Sequence, residues 1–187
     1  MKSKTIFKRE ATFKNRINLP IPPIPLKTGE SIRLDGVVDQ YSQLYLKHGW
    51  SLLCSNNDVF ANHHERGIEN EFMLSIAGDE SPLSYVQATI CYHHLLEDSH
   101  KRTDVISQAI IDDDYVRQLD LLGKWKLKKV NRSFNPIFFY DSFMHPAVIF
   151  FTYHVEGLEV IQKHVHRFDV GGSYKLRTLR RTWATVS

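Results

Sequence analysis

The chain has 187 residues, 42% of them hydrophobic, and 24 Lys plus Arg against 21 Asp plus Glu for a net charge of +3. That length suits one domain with a substantial core, and the dispersed charges of an ordinary composition demand neither a nucleic-acid nor an acidic partner. Cys54 and Cys91 are too few for a disulfide scaffold, and no stretch has membrane-spanning length or the apolar run of a signal peptide, so the chain reads as cytoplasmic.

In chain order, residues 1–30 read as an arm. Leu19, Ile21, Ile24 and Leu26 alternate with prolines, which predicts an extended, polyproline-like segment lying against the remaining domain, 31–187. Residues 36–46 suit a short helix or a strand. Residues 51–54 and 71–76 suit strands, with a turn cluster at Asn56, Asn57 and Asp58. Residues 59–66 have no clear preference. Ser81 is a natural helix cap and Pro82 a natural first helical residue. Leu83, Val86 and Ile90 then recur at helical spacing, with Tyr92, Leu95 and Leu96 widening the apolar surface, so a helix is expected over 82–97.

A helix apolar on most sides is a buried helix. Its polar residues Gln87, Thr89, His93 and His94 then need either partners or work, because unpaired buried polar groups are costly. Asp112, Asp113 and Asp114 suit the first turn of a short helix. Beyond it the period changes to that of strands over 125–130, 137–140, 147–155, 158–168 and 174–183. Turns are expected at Glu156-Gly157 and Gly171-Gly172. One helix followed by successive antiparallel strands predicts an α+β fold in which a long sheet wraps the helix.

Few motifs carry chemistry. His164 and His166 alternate on one strand face and His63 and His64 are adjacent, but no H-x-x-x-H or C-x-x-C occurs, so no metal site is expected. Cys91 lies two residues from His93 on the helix and points away from it. The nucleophile elbow, P-loop and dinucleotide fingerprints are absent. Lys175, Arg177, Arg180 and Arg181 suit either a solvated strand edge or a phosphate-bearing ligand. Phe134, Phe138, Phe139, Tyr140, Phe143, Phe150, Phe151 and Tyr153 suit a core or the wall of an acyl tunnel. Their apolar surroundings disfavour a nucleic-acid platform.

Two sets of residues resemble hotdog-fold acyl-thioester proteins. The helix Gln87-Ala-Thr-Ile-Cys-Tyr-His-His-Leu95 is similar to the central helix of the FcoT-type long-chain acyl-CoA thioesterases. Asp113-Asp-Tyr-Val and Lys128-Lys-Val-Asn-Arg-Ser-Phe-Asn-Pro-Ile137 resemble that family's acidic turn, basic strand and Arg-Phe before a proline. Ser81-Pro-Leu-Ser-Tyr-Val-Gln87, Arg167-Phe168 and Tyr174-Lys-Leu-Arg177 look like segments of the A-factor biosynthesis hotdog family.

The resemblance implies a hotdog domain that handles acyl groups on CoA or acyl-carrier protein, with thioester hydrolysis as the reaction. Acyl transfer, dehydration in secondary-metabolite synthesis, and acyl binding without catalysis are the alternatives on the same fold. It implies His93 and Gln87 as catalytic residues, and Ser84, Tyr85, Arg132 and Phe134 as substrate contacts. Amides at the helix N-terminus would hold the thioester carbonyl. No cofactor, metal, nucleic acid or membrane is implied, and a homodimer or larger homo-oligomer is. The chain departs from the families at His93, where the thioesterases have asparagine, and at Gln87, where the A-factor family has glutamate. A histidine on the Val86–Ile90 face also suits a core role, bonded to a backbone carbonyl.

Overall fold

The computed structural model describes residues 5–6, 31–100, 109–118, 133–156 and 158–186. The proline-rich segment, the strand expected over 125–130 and Arg132 lie outside these residues.

The first half is made of short pieces. They are β1 (Thr5–Ile6), β2 (Ile32–Arg33), α1 (Asp35–Val38), β3 (Leu44–Leu46), β4 (Trp50–Ser55), β5 (Asp58–His63), β6 (Gly67–Glu69) and β7 (Ile76–Gly78). Asn56 and Asn57 both take positive φ, which makes the tight β4–β5 turn that their residue types favour. The expected strand over 71–76 is instead a 3-10 turn, Phe72–Ser75, followed by β7. Phe72, Met73 and Ser75 are all buried there, a burial pattern that does not alternate as a strand's would.

Helix α2 (Pro82–His100) follows, then β8 (Ala109–Ile111), α3 (Asp113–Gln118), β9 (Ile137–Tyr140) and three eleven-residue strands, β10 (Pro146–Glu156), β11 (Leu158–Phe168) and β12 (Leu176–Val186). The long strands form one antiparallel sheet in the order β1-β9-β10-β11-β12, with β8 also paired to β10. A four-stranded sheet, β2-β4-β5-β6, and a β3-β7 pair stand apart from it.

The α+β class and the antiparallel pairing are therefore present, but the strands among the described residues form three sheets instead of one continuous wrap. β2 to β7, of two to six residues, pair with one another through short connections such as the Asn56-Asn57 turn, whereas β1, β8 and β9 join the sheet of the long strands.

Helix α2 lies against β9 and β10 of the large sheet and against α1, β3 and β5 of the smaller ones. Residues 84–91 are all buried, so the helix is captive between layers, as its apolar surface predicts. β10 separates two cores. Val148 and Phe150 face the α2 side with Phe138, Phe168 and Tyr174. Phe151 faces the other side with Ile111, Val116, Phe134 and Ile161. That second core is closed by a polar latch. Asp113 accepts the Phe134 amide at 2.7 Å and the Ser133 hydroxyl at 2.7 Å, while its own amide donates to Asn135 Oδ1 at 3.2 Å.

Candidate functional site

The start of α2 is built as expected and leaves few donors. The Ser84 amide donates to Ser81 Oγ at 3.1 Å, a side-chain cap, and Pro82 occupies the first turn. The Ser81 amide donates to Asp79 Oδ1, the Tyr85 amide to the Ser81 carbonyl, and the Glu80 amide to the Tyr174 hydroxyl at 3.0 Å. Hydrogen bonding from Ser81 holds the Asp79 carboxyl below its usual range.

Tyr174 is fully buried and its hydroxyl lies 2.6 Å from Ser84 Oγ. Because Ser84 Oγ donates onward to the Ser81 carbonyl, the tyrosine donates to Ser84. Gly78 makes room for this phenol: a Cβ there would stand 2.5 Å from its oxygen. The amides of Ser81, Ser84 and Tyr85, among those expected to hold a carbonyl, are thus taken by the protein itself. Ser84 and Tyr85, expected substrate contacts, are both buried. The Tyr85 ring packs among Phe138, Phe168 and Tyr174, and burial first, then the neighbouring Tyr174, pushes its hydroxyl up to about 12.

Gln87, Thr89, His93 and His94 of the helix divide cleanly. Gln87 accepts the Gln43 amide at 2.9 Å and donates to Ser42 Oγ at 3.2 Å, so it ties α2 to the turn before β3. His94 meets the Tyr41 hydroxyl. Thr89 Oγ1 and His93 Nε2 are buried without a hydrogen-bond partner among the described residues. Gln87 and His93 therefore do not converge. They lie about 120° apart around the helix, with Gln87 on the 42–43 turn and His93 on the large sheet.

His93 belongs to a histidine cluster. Its ring lies 5.4 Å from that of His166, nearly parallel, 5.4 Å from that of His164 and 4.9 Å from that of Phe150. His164 and His166 project from one face of β11, and Phe150 is directly across from His164 on β10. Both sheet histidines have no exposed surface. His164 Nε2 meets Thr152 Oγ1 at 2.8 Å, but His164 Nδ1 and both ring nitrogens of His166 have no hydrogen-bond partner among the described residues.

Such a concentration of orphan nitrogens is unusual, since buried polar groups are nearly always satisfied. Burial holds all three imidazoles neutral. His93 falls well below the ordinary histidine range, chiefly through burial and then through His166 and His164. His164 is lowered to about 4 and His166 to about 3, again by burial first. A neutral imidazole carries one N–H donor and one lone pair, so the cluster offers both roles within an apolar wall.

The cluster does not form a ready metal centre: among the described residues no group of three or more His, Cys, Asp or Glu is placed to hold an ion. Cys91 is fully buried and burial raises its thiol, which leaves it inert. Phe134, an expected substrate contact, packs edge-on against Phe151 in the second core, on the side of β10 away from His93. No helix among the described residues is long and apolar enough to cross a membrane.

Sequence reasoning missed the partnership of His93 with His164 and His166. The alternation of the two on β11 was the available signal, but nothing local tied that strand face to the helix. Comparison with protein-family models, curated proteins and solved structures finds no match to the chain.

Proposed function

We propose that the chain is a hotdog-type enzyme that hydrolyses a fatty acyl thioester, carried on CoA or acyl-carrier protein, at the histidine cluster. The observation that carries this reading is a captive helix presenting His93, with an unpartnered Nε2, to two further neutral histidines beside Phe150. An apolar wall suits a fatty chain, and the unpaired nitrogens suit a thioester.

The chemistry needs a donor for the carbonyl oxygen and a base for water. With the Ser81, Ser84 and Tyr85 amides occupied, the N–H of His166 takes the first role in place of the backbone. His93 takes a proton from water as its oxygen attacks the carbonyl carbon. The C–S bond then breaks and His93 returns the proton to the departing sulfur. Gln87 acts as a structural tie in this scheme. Association of two copies belongs to the same reading, because β12 ends its sheet with an eleven-residue strand; light scattering tests it.

Thiol release from a panel of acyl-CoA chain lengths tests the reaction. Hydrolysis that is lost in His93→Gln, with the melting temperature kept, supports it; no release at any chain length contradicts it. Binding without catalysis is the second reading, and the low basicity of a desolvated His93 favours it. Co-purified acyl ligand in a protein that releases no thiol would select that reading.

A further inference from the structure

β12 carries the histidine-bearing face outward into solvent. Leu176 packs against the helix-side core, and the next residues on its face are Thr178, Arg180 and Thr182. In register, Thr178 lies opposite His166, Arg180 opposite His164 and Thr182 opposite Gln162. Directly opposed residues share a face, with Cα atoms about 5 Å apart. A fully buried pair of histidines therefore adjoins an exposed Thr-Arg-Thr ledge on the neighbouring strand. Arg180 forms no ion pair among the described residues.

We propose that Arg180, flanked by Thr178 and Thr182, binds an oxyanion group of the ligand, a carboxylate or a phosphate, on the exposed ledge one strand away from the histidine cluster. The guanidinium fork matches either group with two parallel hydrogen bonds, and the threonine hydroxyls add donors on the same face. The orphan nitrogens of His164 and His166 lie on the adjacent strand, directly opposite Arg180 and Thr178 in register.

Binding there has an electrical consequence. The charge of Arg180 acts on both His93 and His164 and opposes their protonation. An oxyanion on Arg180 cancels that field, so the ligand itself makes the neighbouring imidazoles more basic. Besides one another, the charged or titratable groups acting on His93, His164 and His166 are His94, His154 and Arg180, with no carboxylate among the causes of those three shifts. The inference takes the cluster as a ligand site, as above, but holds whichever reaction occurs there.

The test is the histidine ring signals of the whole chain in NMR, titrated separately with inorganic phosphate and with acetate at fixed ionic strength. A saturable shift of the His164 signal and a raised His164 titration midpoint are expected with at least one anion, and the responding arm identifies the group. Arg180→Gln weakens that response at least tenfold, and Arg180→Lys keeps part of it. Arg181→Gln, on the opposite strand face, keeps it in full. The proposal is overturned if neither anion saturates, if Arg180→Gln responds as wild type does, or if Arg181→Gln loses as much, which would mean diffuse screening. Thiol release is scored separately, so loss of the anion response does not count against hydrolysis, nor the reverse.

Discussion

At the scale of single residues, the buried histidines set a pH dependence whose sign follows from their burial. Free in the unfolded chain, each binds a proton near pH 6.5, whereas in the fold His164 binds one only near pH 4 and His166 near pH 3. Their lowered proton affinity leaves the fold at full stability above pH 6.5. As pH falls through the interval down to about 4 and then 3, the unfolded chain gains protons that the folded one refuses, and stability drops. One such histidine accounts for roughly 3 kcal/mol of that loss. Urea midpoints at neutral and mildly acidic pH should diverge in wild type, and His166→Phe, which keeps the packing, should flatten the difference. Equal slopes in the two proteins would mean that His166 is not held neutral by the core.

At the scale of elements, α2 is held by two polar ties that its sequence does not announce. Tyr174→Phe removes the acceptor of the Glu80 amide and the partner of Ser84, and should cost about 1–3 kcal/mol in denaturant unfolding. Gln87→Ala leaves the Gln43 amide without its acceptor and should cost a similar amount. It should also leave the pH profile of thiol release unchanged, since Gln87 faces away from His93; a shifted profile would return Gln87 to the chemistry. The helix, its Ser81 cap and the three long strands were legible because local signals set them: a capping residue, Pro82, a 3.6-residue apolar period and long runs of strand-forming residues. The 3-10 turn at Phe72–Ser75 was not, because burial of both its faces mimics a strand in sequence. The convergence of His93 on β11 was not legible either, for it depends on which face of a distant strand the helix meets.

At the scale of the whole molecule, β10 divides two cores, and the two segments that motivated the acidic-turn resemblance do meet, through Asp113 and the Ser133–Asn135 turn. They close the core away from His93, so that region supports the fold while the helix side holds the candidate chemistry. The sheet's order thereby separates structure from site: Phe134 belongs to one face of β10, and Phe150 with the histidines to the other. The most direct measurement is thiol release from acyl-CoA substrates by wild type, His93→Gln and His166→Phe, with melting temperatures recorded beside it. The account predicts hydrolysis by wild type and at least a hundredfold loss in both variants, each still folded. Full activity in a folded His93→Gln protein, or none in wild type at any chain length, would contradict it.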